Sequence, residues 1–111
     1  MKRFNIWVDD VRSTPMGWHR ANSVNVAKEL LMANADQDTE VHISLDHDAG
    51  DYQQFGGDFI ELVKWLEVLQ HEYGADLTNW YFSIHTQNPV GADNIKSIIL
   101  HNGWHLERSP Q

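Results

Sequence analysis

Phe4-Asn5-Ile6-Trp7-Val8 runs directly into Asp9-Asp10. A short run of β-branched and aromatic residues reads as a buried strand, and this one ends where the acids begin. The same construction returns twice. Val41-His42-Ile43-Ser44-Leu45 closes on Asp46-His47-Asp48, and Trp80-Tyr81-Phe82-Ser83-Ile84 leads to His85-Thr86-Gln87-Asn88. Helical patterns lie between these runs. Ser23 is placed to cap a helix whose apolar positions Ala27, Leu30, Leu31 and Ala35 follow helical spacing, and the pattern gives out in the polar stretch Asn34 to Glu40. Phe59, Leu62, Val63, Leu66, Leu69 and Tyr73 form the clearest amphipathic helix, stopped by Gly74. Asn88-Pro89 starts a third helix, with Ala92, Ile95, Ile98 and Ile99 as its buried face and Gly103 at its end. A weak strand over 18–21 and a last one over 104–107 complete the set. The stretch 12–17 is a loop punctuated by Pro15 and Gly17, and 50–57 reads as a long, flexible connection.

Strands alternating with helices imply right-handed crossovers and an open, mostly parallel α/β sheet with helices on both faces. In such sheets ligands sit at the carboxyl ends of the strands, where the strand order reverses. Asp9-Asp10, Asp46-His47-Asp48 and His85-Thr86-Gln87-Asn88 all fall at those ends. Three separate segments are thus expected to deliver polar groups to one edge of the sheet. No linker, repeat or composition break divides the chain, so residues 1–111 read as a single domain.

Composition narrows the function classes. The chain of 12.8 kDa is 41% apolar and 11% aromatic, which suits a packed core rather than disorder. Eight Lys/Arg against sixteen Asp/Glu leave a formal charge of −8. That argues against an extended nucleic-acid groove and against docking on an anionic membrane. Phosphate chemistry then calls for a cation as mediator. The absence of cysteine excludes disulfides, thiol catalysis and Cys-ligated zinc. The apolar stretch near the N-terminus is cut off at Asp9, too short for a signal peptide or a membrane span, so the expected location is the cytoplasm.

Carboxylates gathered on one edge repel one another unless a cation sits among them or one is protonated. Asp9, Asp10, Asp46 and Asp48 offer the oxygen donors that suit Mg²⁺, and His47 and His85 nearby make Mn²⁺ an alternative. The plainer reading of Asp9 and Asp10 is that they cap a loop. Asp46-His47-Asp48 does not open an EF-hand loop, because Gly50 and Gly57 fall at the wrong positions. His47 and His85 can exchange a proton near neutrality, or serve as structural imidazoles bonded to carboxylates. Arg12 can clamp a phosphate bidentately, or balance Asp9 or Asp10. Asn88 and the helix start behind it offer N–H groups to an anion, or form an ordinary cap. His19, His42, His71, His101 and His105 carry no assigned chemistry. The five tryptophans read mostly as core, with Trp18 beside Gly17 as a candidate pocket wall.

Four blocks together resemble a known family. They are Trp7-Val8-Asp9-Asp10-Val11-Arg12, Pro15-Met16-Gly17-Trp18, Ser44-Leu45-Asp46-His47-Asp48-Ala49-Gly50, and His85-Thr86-Gln87-Asn88-Pro89-Val90-Gly91-Ala92 with Asn94-Ile95. In this order they are similar to the cyclic-phosphate-processing receiver-like domains, a divergent branch of the response-regulator receiver fold. The resemblance implies a flavodoxin-like sheet of order 2-1-3-4-5, with the first receiver helix reduced to the loop 12–17. It implies that Asp9 and Asp10 match the receiver's metal-binding acids, Asp46 its phospho-acceptor and Thr86 its hydroxyl switch residue, where the family more often has Ser. The receiver's lysine before the final proline has no counterpart, since Ser109 precedes Pro110 and Arg108 is the nearest cation. That departure counts against ordinary phospho-relay signalling.

The expected activity is metal-dependent processing of a cyclic phosphate, on RNA 2′,3′-cyclic ends or on small cyclic nucleotides. Mg²⁺ or Mn²⁺ is the expected cofactor, Asp46, His47 and His85 the expected catalytic groups, and Arg12, Thr86 and Asn88 the expected holders of phosphate oxygens. The alternative is a non-catalytic sensor that binds metal and a phosphorylated ligand and signals to a separately encoded protein partner.

Overall fold

The structure is a computed structural model and describes residues 2–108. Five strands, β1 (Lys2–Val8), β2 (His19–Ala21), β3 (Thr39–Leu45), β4 (Trp80–Ile84) and β5 (His105–Leu106), alternate with helices α1 (Val24–Asn34), α2 (Ile60–Tyr73) and α3 (Pro89–His101). All neighbouring strands are parallel, in the order β2-β1-β3-β4-β5. This is the expected receiver-like sheet. β1 and β3 run two residues further back than their apolar runs, because the ladder continues through Lys2↔Thr39 and Arg3↔Glu40. Backbone pairing does not require apolar side chains, so hydropathy marks only the buried part of a strand.

The helix signals act where they were read. Ser23 Oγ accepts from the Val26 N–H at 3.2 Å at the start of α1, and Asn88 Oδ1 accepts from the Gly91 N–H at 3.0 Å at the start of α3. Gly74, at φ 70°, ends α2 in the left-handed region that glycine adopts without strain. The stretch 50–57 differs from expectation. Gly50–Phe55 winds into a 3₁₀ helix, pinned by Asp58, whose Oδ1 accepts from the Ala49 N–H and whose Oδ2 accepts from Gln53 Nε2. Its glycines supply turn geometry rather than slack.

The distribution of helices also differs. Phe4, Ile6 and Val8 of β1, Val41, Ile43 and Leu45 of β3, and Trp80 and Phe82 of β4 alternate along their strands and share one buried core with the helices. To that core α1 brings Val24, Ala27 and Leu31, α2 brings Leu62, Val63 and Leu66, and α3 brings Ile95 and Ile99. From β2 onward every crossover steps across the sheet in the same direction, so right-handed connections place α1, α2 and α3 on the same face. The expected helices on both faces are therefore not found among the described residues. Only the β1–β2 connection steps the other way, and it holds no helix.

The opposite face is built from different chemistry. Asn5, His42, Tyr81 and His105 stand in one register row, and Trp7, Ser44 and Ser83 in the next. His42 stacks on Tyr81 at 4.9 Å between ring centres, and Tyr81 stacks on His105 at 4.7 Å. His42 Nδ1 lies 2.6 Å from Glu107 Oε1, and its Nε2 lies 3.1 Å from Glu40 Oε2. Trp7 is fully buried, with Trp18 set edge-on against it. Ser109 and Pro110, the positions that the resemblance compares with the receiver lysine and proline, lie outside the described residues. No helix among the described residues is long and apolar enough to cross a membrane.

Candidate metal- and phosphate-binding site

Ladder hydrogen bonds fix the three strand ends side by side. The Asp9 N–H donates to Ala21 O at 3.0 Å, the Asp46 N–H to Val8 O at 2.9 Å, and the His85 N–H to Leu45 O at 2.9 Å. Asp9, Asp10 and Asp46 then each offer a carboxylate oxygen, all within 4.8 Å of one another. Beside them opens a cleft of about 420 Å³ lined by Asp9, Val11, Arg12, Asp46, Asp48, Thr86, Gln87 and Asn88. A larger groove, of about 750 Å³, lies at the other end of the sheet and touches none of the predicted site residues.

Asp9 is wholly buried. Its Oδ1 accepts from the N–H groups of Val11 at 2.8 Å and Arg12 at 3.0 Å, and its Oδ2 lies 2.8 Å from His85 Nε2. Burial alone pushes its carboxyl up, but the two N–H donors and His85 outweigh burial and hold it below the usual carboxylate range. Asp10 goes the other way. Burial raises its carboxyl first, and the charges of Asp9 and Asp46 add to the rise. Three oxygens this close, one of them resisting ionisation, form a donor set that a hard divalent cation would relieve. The loop-capping reading of Asp9 holds as well, through the same bonds to Val11 and Arg12.

The two histidines separate. His85 is 7% exposed, and burial presses its imidazole below the ordinary value against the opposing pull of Asp9. Its Nδ1 is 2.7 Å from Ser44 Oγ, so both ring nitrogens are engaged inside the protein. In the neutral ring Nε2–H donates to Asp9, which leaves Nδ1 to accept from the Ser44 hydroxyl. His47 bonds Asp48 Oδ1 through Nδ1 at 2.8 Å, and neither histidine is among the cleft's lining residues. The Asp46 Oδ1 accepts from the His47 N–H at 2.7 Å. Thr86 Oγ1 accepts from the Asn88 N–H at 3.1 Å, and Asn88 both caps α3 and reaches Asp48 Oδ1 at 3.5 Å.

Four positions take on roles that neither motif nor spacing assigns them. Ser44 looked like one more strand residue, although a polar side chain two before Asp46 and in register with Trp7 was a signal of sorts. Asp58 sits in a segment read as a loose connection, yet with His47 and Asp48 it forms a second group of ligand-type atoms within 4.8 Å. Gly50 and Gly91 shape the site by what they lack. A Cβ on Gly50 would overlap Asp10 Oδ2, and one on Gly91 would overlap the His47 ring at Cγ.

No curated protein and no solved structure matches the chain. The family model described as the cyclic-phosphate processing receiver domain matches residues 4–101, a span that takes in every strand end of the site. With the receiver strand order and the acids gathered where that order reverses, the chain belongs to the cyclic-phosphate processing receiver domains.

Proposed function

We propose that this domain is a metal-dependent phosphoesterase acting on cyclic phosphates, either RNA 2′,3′-cyclic ends or small cyclic nucleotides. One observation carries the reading: Asp9, Asp10 and Asp46 converge within 4.8 Å at a cleft that also presents Arg12, Thr86 and Asn88. Asp9, Asp10 and Asp46 would hold Mg²⁺ or Mn²⁺, with Asp48 as a further oxygen donor at the cleft wall. Bound there, the ion supplies charge neutralisation for the phosphate and a lowered pKa for a coordinated water. Arg12 and Asn88 orient the phosphate oxygens, and the Thr86 hydroxyl adds a donor at the rim. Asp46 attacks phosphorus or orients the attacking water in this reading. His47, aligned by Asp48 just behind the cleft wall, would give a proton to the leaving oxygen by way of a solvent water. His85 acts through Asp9, because both its nitrogens are already committed.

The test is phosphorus NMR of the protein with 2′,3′-cyclic and 3′,5′-cyclic nucleotides, with and without Mg²⁺ or Mn²⁺. New monoester resonances that require metal are expected, and Asp46→Asn should lower turnover by about 10²- to 10³-fold, the scale of losing a central transition-state contact. Full activity in Asp46→Asn would overturn the mechanism. A second reading, a non-catalytic sensor of metal and a phosphorylated ligand, is favoured by the fact that no imidazole lines the cleft. It predicts metal-dependent broadening of the ligand signal without product.

A further inference from the structure

We propose that Ser44, His85 and Trp7 form a positioning unit that presets Asp9 for a divalent cation, an inference that rests on the metal-binding reading above. Ser44 Oγ, His85 and Asp9 Oδ2 form one hydrogen-bonded chain, at 2.7 Å and 2.8 Å. The His85 ring lies flat on the Trp7 indole, 3.7 Å between centres and 4° between planes. Trp7 and Ser44 are register partners across β1 and β3, so a single strand pairing supplies both the platform and the hydrogen bond. Ser44, Trp7 and Asp9 are fully buried, and His85 nearly so.

The arrangement immobilises one ligand of the three. Asp9 Oδ1 is tied to the loop by two N–H groups, and Oδ2 is tied to the strand side by His85, so the carboxylate cannot turn about its own axis. Among the described residues no imidazole braces Asp10 or Asp46 in this way. A ligand fixed before the ion arrives loses little entropy when it binds, and a hydrogen bond to its second oxygen sets which lone pairs remain for the ion. Such outer partners typically carry ten- to a hundredfold of metal affinity. The packing of the core does not call for this chain. None of the four belongs to the apolar cluster that the helices cover, and apolar side chains of similar volume at Ser44 and His85 would fill the same space without desolvating polar groups.

The experiment is Mn²⁺ titration by calorimetry on the full chain, together with the thermal midpoint without metal, for the wild type, His85→Leu, His85→Gln, Ser44→Ala and Ser23→Ala. His85→Leu removes the donor to Asp9 and should weaken Mn²⁺ by about 10- to 100-fold. His85→Gln keeps an amide donor near the Nε2 position and should stay within about threefold of wild type, with Ser44→Ala between the two. Ser23→Ala loses the α1 cap, lowers the midpoint and leaves Mn²⁺ affinity unchanged, which separates destabilisation from positioning. Wild-type affinity in His85→Leu overturns the proposal alone. Should that variant fail to fold, wild-type affinity in Ser44→Ala overturns it instead. A wild type that binds no Mn²⁺ overturns the metal reading and this inference with it.

Discussion

The two faces of this sheet use the same strands for different work. On the face turned to the helices, Phe4, Ile6, Val8, Val41, Ile43, Leu45 and Phe82 meet other apolar side chains, and nothing there needs a particular orientation. On the other face, Asn5, Trp7, His42, Ser44 and Tyr81 are held by ring stacks and hydrogen bonds, which are strict in geometry. Apolar burial is non-directional and supplies the bulk of stability, whereas hydrogen bonds are small in net energy and strict in direction. The helix face therefore holds the fold, and the face without a helix among the described residues holds the candidate site. Loss of the β1–β2 helix makes the division visible, because directional contacts there have replaced a second apolar layer.

The largest test sets neighbouring residues of β4 against each other. Phe82→Ala on the helix face should cost about 3–5 kcal/mol in urea denaturation. Tyr81→Ala on the opposite face should cost about 1–2 kcal/mol, since it loses two ring stacks but only part of a buried surface. Equal losses would break the comparison. Next comes Gly91→Ala, where the added methyl meets the His47 ring and overpacking should cost about 1–3 kcal/mol. A change of the His47 imidazole resonances in proton NMR accompanies that loss, and unchanged resonances would sever Gly91 from the site.

Asp10→Asn works in the other direction. It removes the carboxyl whose ionisation burial and the charges of Asp9 and Asp46 oppose, so the metal-free protein should gain about 0.5–2 kcal/mol in thermal unfolding. On the proposed metal reading Mg²⁺ stabilises the wild type, and the same variant should lose most of that gain. The smallest effect is with pH. His85 has a lowered pKa in the folded state, so below about 6.5 the unfolded chain takes up a proton that the folded one refuses. Stability of the metal-free protein falls as the pH drops below about 6.5, and that slope should vanish in His85→Gln. Asp9, held below the usual range, contributes stability that disappears only at still lower pH, while Asp10 contributes with the opposite sign. A profile unchanged by His85→Gln would assign the slope to another group.

Much of this was legible in the sequence because strand ends are marked by chemistry. Each apolar run stops at an acid or a histidine, and backbone pairing alone brings those stops to one edge. Asp9, Asp10 and Asp46 needed nothing more. What a side chain does at that edge depends on which way it turns, and this follows from its face and its partners. His85 is separated from Asp9 by most of the chain, and only the alternation Ser83, Ile84, His85 places it under Trp7 and away from the cleft. The expectation of helices on both faces came from the general habit of parallel sheets. The direction in which each crossover steps decides the matter, and that needs the strand order as well as the strands. Asp58 stayed hidden because its role exists only once Gly50–Phe55 has wound into a 3₁₀ helix.

The strand order also governs how the chain comes together in time. β1, synthesised first, lies inside the sheet, and its main neighbour is β3, with Lys2 opposite Thr39 and Val8 opposite Leu45. Among the described residues its local partner is the three-residue edge strand β2. The earliest strand thus waits for a long loop to close before it finds most of its hydrogen bonds, and loop closure of this kind slows folding. That closure is also the event that carries Asp46 up against Asp9 and Asp10. Charge repulsion is built into the central long-range step of folding, so the refolding rate of this chain should rise with divalent cation and with mild acid, even though mild acid destabilises the finished fold.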